Sequence, residues 1–205
     1  MFSLCIPTIN RYDEFLSKYI PNYINNPLID EIIISDENGQ DADKINKNHK
    51  HPKLKVLINS QVLGPFLNKY NCCKHAKNEW IAIIDSDNFA DDNYFQTAKQ
   101  YILNNIPPDN KNIILAPDFA QPNFNYTHLS GKILQKNTLL PIRNYEQSIK
   151  KTSQNSEVLM NTGNYIIIKY NIQNIDLSKE QDNIQHSSAC DVIYFNTLLF
   201  ETLLT

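Results

Sequence analysis

The most informative stretch of the sequence is NEWIAIIDSDN, which runs from Asn78 to Asn88. Its hydrophobic part, residues 80–84, has the composition of a strand that is buried on both faces of a parallel sheet. The run ends on two aspartates, Asp85 and Asp87. Because open parallel sheets bind their ligands at the edge where the strands end, these carboxylates predict a ligand site at that edge.

Apolar runs on both sides of this stretch predict an α/β fold with a mainly parallel central sheet and helices on both faces. Further strands are expected at residues 2–6, 32–35, 54–58, 113–116 and 164–170. Helices are expected at residues 13–24, 64–77, 91–104 and 191–204. The first strand should stop before Pro7, because proline lacks the N–H that a central strand donates. Residues 117–152 show no periodicity, so we expect a long irregular segment that covers a site.

The composition favours one cytoplasmic globular domain. The 205 residues include 19 basic and 22 acidic side chains, and a net charge of −3 gives no field for binding nucleic acid. The four cysteines form no C-x-x-C pair, and the first apolar run is shorter than a signal-peptide core, so reduced thiols in the cytoplasm are expected. No uncharged apolar segment is long enough for a membrane span, so none is expected.

Two plainer interpretations of the Asp85-Ser86-Asp87 motif stay open. Asp85 could cap the following helix, and Asp87 could lie in a solvated turn. An EF-hand is excluded, because Phe89 and Ala90 stand where that loop needs an oxygen ligand and a glycine. A phosphoaspartyl hydrolase is disfavoured, because its nucleophile normally follows the first strand, whereas this motif follows the fourth.

Three segments in order resemble the nucleotide-diphosphosugar glycosyltransferases of the GT-A fold, family-two type. They are LCIPTINR at residues 4–11, IIISD at residues 32–36 and NEWIAIIDSDN at residues 78–88. The resemblance covers residues 1–95 well and the rest of the chain only loosely. It implies a donor site for a nucleotide-diphosphate sugar, built by the loops after the first, second and fourth strands.

By this resemblance, the loop after the first strand flanks the base and ribose of the donor. The loop residues concerned are Pro7, Thr8, Asn10 and Arg11. Thr8 would offer a hydroxyl, and Arg11 a planar cation near the diphosphate. Asp36 matches the acidic residue that accepts the uracil N–H, which favours a uridine donor, and Glu37 is the nearby substitute. The alternatives are a plain connection with Arg11 in water and a turn carboxylate at Asp36.

The resemblance also implies a divalent metal site. Asp87 would bind the Mn²⁺ or Mg²⁺ that bridges both phosphates. Asp85 would lie near the ribose or touch the metal through water, and Ser86 is counted with the donor-binding residues. His186 would complete the metal shell, and its plainer alternative is a position in a surface loop. Lys69, on the helix before the fourth strand, would help to neutralise the phosphate charge. Its plainer alternative is a solvated lysine on the helix surface.

For the catalytic base, the resemblance to inverting relatives points to Asp191, which is expected at the start of the last helix. The positive end of the helix dipole keeps a carboxylate ionised there, and a positioned base contributes about 10²–10⁴-fold. Its alternative role is that of a helix cap. The segment at residues 161–164 resembles the family's lining of the sugar and acceptor, or is a simple turn.

The resemblance therefore implies a metal-dependent inverting glycosyltransferase that moves a hexose-type sugar from a UDP-sugar to a glycan or other hydroxyl acceptor. Residues 1–116 would form the donor half of a single domain and residues 117–205 the acceptor and catalytic half, in a chain compatible with the N-terminal module of a longer protein. One alternative is a nucleotide-sugar-binding module without turnover. Another is a sugar-1-phosphate nucleotidyltransferase, which is disfavoured because it needs a glycine-rich loop after the first strand.

Overall fold

The computed structural model describes residues 1–121, 124–133 and 164–180, together with the single positions 184, 198 and 202. Its strands are β1 (Phe2–Thr8), β2 (Ile29–Asp36), β3 (Leu54–Ile58), β4 (Trp80–Ile83), β5 (Ile114–Leu115), β6 (Phe119–Ala120), β7 (Phe124–Asn125) and β8 (Ile166–Ile168). Its helices are α1 (Ser17–Asn25), which follows a π-helical turn at Tyr12–Leu16, α2 (Gln40–Asn48), α3 (Gly64–Lys74), α4 (Asp92–Asn105) and α5 (Lys169–Gln173). Short 3-10 turns span Thr127–Leu129 and Leu177–Glu180.

Six of the strands form one sheet in the order β3-β2-β1-β4-β8-β5. The strands β1 to β4 are parallel to one another, whereas β8 is antiparallel to both β4 and β5. Helices α1, α2 and α4 pack into a core on one face of the sheet, and α3 and α5 pack into a core on the other face. The prediction of an α/β fold with a mainly parallel sheet between two layers of helices is confirmed.

The two cores follow the alternation of side chains along the central strands. In β1, Leu4 and Ile6 belong to one core and Cys5 to the other. In β2, Ile34 and Ile33 divide in the same way. Successive residues of a strand point to opposite faces, so a strand covered on both faces needs a continuous apolar run rather than an alternating one.

The first strand does not stop before Pro7, as was expected, but continues to Thr8. Its pairing with β2 extends to Thr8, whereas its pairing with β4 ends at Cys5. Alternate residues of a parallel strand bond to opposite neighbours, and the carbonyl of Cys5 accepts from the Ile84 N–H on the β4 side. Pro7 lies two residues after Cys5, so its backbone groups point to the same side as those of Cys5, toward β4. The missing N–H of Pro7 therefore faces the side on which β4 has already ended.

Among the described residues, the other predicted elements agree in place, and most of them differ in extent. The third strand occupies residues 54–58 as predicted, and the late strand at 164–170 shrinks to β8 because α5 begins at Lys169. Helix α2 was missed. Its nine residues bury only two apolar side chains, Ala42 and Ile45, which is too few to show a helical period in the sequence.

Two sequence predictions fall on parts of the chain that are not described. The closing helix expected at 191–204 lies outside the described residues except for positions 198 and 202. Residues 122–123 and 134–152 of the irregular segment also lie outside them. Within the described part of that segment, β6 and β7 form a separate two-stranded hairpin. None of the helices in the described ranges combines the length and the apolar character that crossing a membrane requires.

The strand order reverses between β1 and β4. From β1 the chain builds β2 and β3 on one side, and it then crosses to the other side of β1 to form β4. Such a reversal leaves a crevice at the carboxyl ends of the two strands, which is where open α/β sheets bind their ligands. The segments 9–11 and 84–91 flank this crevice.

Candidate functional site

The crevice between the ends of β1 and β4 holds the aspartates that the sequence places at the strand end. A turn closed by the hydrogen bond from the Asn88 N–H to the Asp85 carbonyl (2.9 Å) reverses the chain after β4. Within this turn, Asp87 is exposed, Ser86 is buried and the Asp85 side chain is 22% exposed. Asp87 is therefore the member of the motif that is presented most openly to solvent.

Lys69 is a buried cation at this site. Its side chain on α3 is only 2% exposed, and its Nζ lies 3.1 Å from Asp85 Oδ1. The alternative of a solvated helix lysine is therefore wrong. The charge of Lys69 compensates the carboxylate of Asp85, and breaking such a pair from one side is costly because the remaining charge stays partly buried. The direct contact with a phosphate stays a prediction.

The carboxylates at the crevice fit a metal site that is completed by the phosphates of a substrate. The described residues contain no group of three or more His, Cys, Asp or Glu side chains that could hold a metal ion. His186 and Asp191, the predicted metal ligand and base, lie outside the described residues. Mg²⁺ is commonly held by one or two carboxylates together with substrate phosphates. Asp87, with the partly exposed Asp85 beside it, fits a metal bound in that way.

The loop after β1 is held by hydrogen bonds to the segment after β2. Pro7 is half-buried at the end of the strand, and Thr8 is buried, with its hydroxyl donating to Asp41 Oδ2 (2.6 Å). Asn10 has a left-handed backbone (φ 54°), and its side-chain oxygen accepts from Asn38 Nδ2 (3.0 Å). The hydroxyl of Thr8 is thus directed into the protein, and its contact with a donor stays a prediction.

The Arg11 side chain extends along the helix that follows the loop. It is 44% exposed, its guanidinium lies 4.0 Å from the Glu14 carboxylate, and it stands 5.8 Å from the centre of the Phe15 ring. Exposed contacts of this kind are weak and leave a long side chain free to change rotamer. The predicted approach of Arg11 to a diphosphate stays a prediction.

Asp41 is a residue of this region that the sequence analysis missed. It lies in the first turn of α2 and is 1% exposed. Its Oδ2 accepts from the Thr8 hydroxyl and from the Arg11 N–H (2.9 Å), and its Oδ1 accepts from the Tyr12 N–H (2.9 Å). The signal in the sequence is an aspartate shortly after Gly39, a pattern that indicates a helix start and nothing about the distant loop.

Asp36, the predicted uracil ligand, is fully buried. Its Oδ2 accepts from the Ala42 N–H (2.8 Å) in α2, and its Oδ1 accepts from the Asn38 N–H (3.3 Å). Both oxygens are thus engaged within the fold, and the carboxylate has no exposed surface. The contact with uracil stays a prediction that this burial does not favour.

Carboxylates also stand at the starts of the other helices along this edge. Glu37 Oε2 accepts from the Leu63 N–H (2.6 Å) directly before α3, and Asp91 Oδ1 accepts from an N–H in the first turn of α4 (2.9 Å). Asp41 accepts from the Tyr12 N–H at the start of the π-helical turn that leads into α1, and Asp36 accepts from the Ala42 N–H in the first turn of α2. Each of these four helix starts therefore already has an anionic partner for its positive dipole end.

Glu37 gives this edge a pH-dependent contribution to stability. Burial raises the pKa of the Glu37 carboxyl above its ordinary value of 4.5, in opposition to the hydrogen bonds from Leu63 and Gly64 that lower it. A raised pKa in the folded state means that stability is fully present below pH 4.5 and is lost as the pH rises through the folded pKa.

Replacing Glu37 with glutamine is expected to remove this loss, because the amide oxygen still accepts a hydrogen bond and has no charge to bury. Urea unfolding of both proteins between pH 4 and pH 7 measures the effect. The free energy of unfolding of E37Q minus that of the wild type should increase as the pH rises. A difference that stays constant with pH would show that Glu37 does not titrate differently in the folded state.

Residues 3–198 match the family model described as glycosyl transferase family 2. The matched range includes the strand ends and the loops that form the crevice. No curated protein matches the chain.

Solved structures share this architecture. The S. aureus TarS 1–349 structure in complex with UDP-GlcNAc is 18% identical, with a TM-score of 0.55, over 84% of this chain and 46% of that one. The S. aureus TarS 1–349 structure in complex with UDP is 16% identical, with a TM-score of 0.55, over 94% of this chain and 54% of that one. The chain spans about half the length of these structures. The match of the family model over residues 3–198, nearly the whole length of the chain, shows that the chain belongs to glycosyl transferase family 2, with the GT-A type of fold that its resemblance to that family predicts.

Proposed function

We propose that this chain is the GT-A domain of a metal-dependent inverting glycosyltransferase, which moves a hexose-type sugar from a UDP-sugar to a hydroxyl of a glycan or other acceptor. The observation that carries the proposal is the exposed Asp87 next to the ion pair of the buried Lys69 and the partly exposed Asp85, at the point where the strand order reverses. Membership of the family supports the reaction class. The choice of UDP is supported by the TarS structures, which contain UDP-GlcNAc and UDP.

The charges along this edge favour a donor that binds together with a divalent cation. In many α/β proteins a diphosphate binds at a free helix N-terminus. Here the four helix starts already hold the carboxylates of Asp36, Glu37, Asp41 and Asp91. Asp87 adds further negative charge, and Lys69 is already paired with Asp85. A nucleotide diphosphate is itself an anion, so it needs a cation to stay at such an acidic edge.

Each residue of the crevice has a defined part in this proposal. Asp87 would hold Mn²⁺ or Mg²⁺ together with the donor phosphates, and Lys69 would keep Asp85 in one orientation beside it. The metal would supply Lewis-acid stabilisation of the negative charge on the departing nucleoside diphosphate. Asp191 would take the proton of the acceptor hydroxyl as that oxygen attacks C1 of the sugar. Residues 1–116 would bind the donor and residues 117–205 the acceptor, in the cytoplasm.

Calorimetric titration with UDP, GDP and dTDP, each with and without Mn²⁺, tests the donor site. We expect UDP to bind at least about tenfold more tightly when Mn²⁺ is present, a gain of about 1.4 kcal/mol, because the cation offsets the repulsion between the phosphates and the carboxylates. UDP is expected to bind more tightly than the other two nucleotides.

Absent UDP binding, or binding that is unchanged by Mn²⁺, would overturn the proposed donor site. A chain that binds UDP with Mn²⁺ but neither transfers sugar nor releases UDP from any UDP-sugar is the nucleotide-sugar-binding module. Pyrophosphate release from UTP and a sugar 1-phosphate would identify the nucleotidyltransferase instead.

A further inference from the structure

Asp41 joins two parts of the crevice that are far apart in the chain. Its carboxylate lies on α2, yet it receives three hydrogen bonds from the loop after β1: from the Thr8 hydroxyl and from the backbone N–H groups of Arg11 and Tyr12. The distances are 2.6 to 2.9 Å, and Asp41 is buried. Hydrogen bonds to an ionised and buried acceptor are stronger than neutral ones.

Further contacts hold the same loop against the segment after β2. The Thr8 carbonyl accepts from the Glu37 N–H (3.1 Å) and from Asn68 Nδ2 (3.4 Å). Asn10, in its left-handed conformation, accepts from Asn38. A left-handed backbone is unfavourable for a residue other than glycine and persists only where the surroundings hold it. Asp41 fixes the backbone at Arg11, directly after this strained position.

We propose that Asp41 is a positioning residue for the nucleotide donor, which holds residues 8–12 in the conformation that binds it without touching the donor itself. The inference rests on the proposed function, because it assigns the loop after β1 to the donor site. A loop that is ordered before binding loses less conformational entropy when the ligand arrives. Loss of Asp41 should therefore weaken nucleotide binding and leave the chemical step at saturating donor unchanged.

Replacing Asp41 with asparagine tests this with minimal change of shape. Tyr12 donates to one carboxylate oxygen, and Arg11 and Thr8 donate to the other. Whichever way the amide turns, its NH₂ group faces a backbone N–H, which then loses its acceptor. We expect the Kd of D41N for UDP with Mn²⁺, and its donor KM, to rise about tenfold to a hundredfold, the equivalent of one charge-assisted hydrogen bond. Its kcat should stay within about twofold of the wild type, since the cost of ordering the loop is met when the donor binds and is the same for the bound donor and for the transition state.

Asp43→Asn is the matched control, because Asp43 is exposed on the same first turn of α2. It should bind UDP like the wild type. Thr8→Val removes one of the three hydrogen bonds and keeps the carboxylate, so it should weaken UDP binding by about threefold to tenfold. If D41N does not fold, T8V decides the matter.

The possible outcomes are distinct. A wild type that binds UDP, with a D41N variant that binds it equally well, overturns the inference and leaves the proposed function standing. A D41N variant whose kcat falls while its UDP affinity is unchanged also overturns the inference alone. If D41N does not fold, a T8V variant with wild-type UDP affinity overturns it. A wild type that does not bind UDP at all overturns the proposed function and this inference with it.

Discussion

Replacing Asp87 with asparagine is expected to lower the rate of sugar transfer at least about a hundredfold, because the variant should lose the metal. A catalytic metal supplies several kcal/mol of transition-state stabilisation, and a loss of about 3 kcal/mol lowers the rate about a hundredfold. The stability of the protein should not change. Asp87 is exposed, and among the described residues no hydrogen bond or ion pair involves its side chain. Transfer from a labelled UDP-sugar and the Tm, both measured on purified protein, check the two parts of this expectation.

Asp109→Asn provides the control for this variant. Asp109 is also exposed, but it lies between α4 and β5, at the opposite edge of the sheet from the crevice. It should transfer sugar at the wild-type rate. In D87N, UDP should still bind weakly without Mn²⁺, and the gain from adding Mn²⁺ should disappear. A D87N variant that keeps both its rate and its Mn²⁺ dependence would show that the metal is held by other residues.

Replacing Lys69 with methionine is expected to lower both stability and transfer. Methionine keeps the unbranched stem but removes the ammonium that lies 3.1 Å from Asp85. Breaking a buried ion pair from one side costs about 3–5 kcal/mol, and because Asp85 is 22% exposed we expect about 3 kcal/mol here. Urea unfolding measures this loss. Transfer should fall as well, since Asp85 is no longer held in one orientation beside Asp87.

A second substitution separates the two effects. In the double variant Lys69→Met, Asp85→Asn the Asp85 carboxylate is no longer left without the Lys69 ammonium, so the stability should recover by at least about 1 kcal/mol relative to K69M. Transfer should stay low, because the asparagine does not replace the carboxylate at the crevice. A K69M variant that unfolds at the same urea concentration as the wild type would show that the pair does not stabilise the fold.

The parts of the site that sequence reasoning located are those whose signal is local. Asp85 and Asp87 directly follow the apolar run of β4, so their place at the edge of the sheet follows from the strand alone. Asp41 could not be found in this way, because its partners Thr8, Arg11 and Tyr12 lie 29 to 33 positions away in the chain. No periodicity connects residues at such a separation.

Lys69 and Pro7 illustrate the same limit. A lysine on a helix is normally solvated, and the burial of Lys69 depends on where α3 packs against the ends of β1, β2 and β4. Proline normally ends a central strand, and Pro7 is tolerated because β4 stops short of it while β2 does not. In both cases a neighbouring element, and not the residue itself, determines the outcome.

By itself, the sequence determined the class of fold and the place of the acidic turn after β4, because continuous apolar runs and the residues that end them are local properties of a chain. The membership of a family of glycosyltransferases came from the resemblance of three segments in order, and the family model confirms it. The tertiary structure alone decided which charges are buried and what they hold: Lys69 against Asp85, and Asp41 against the loop after β1. The physical reason is that a buried charge is stable only with a partner, and here each partner comes from a different strand–helix unit.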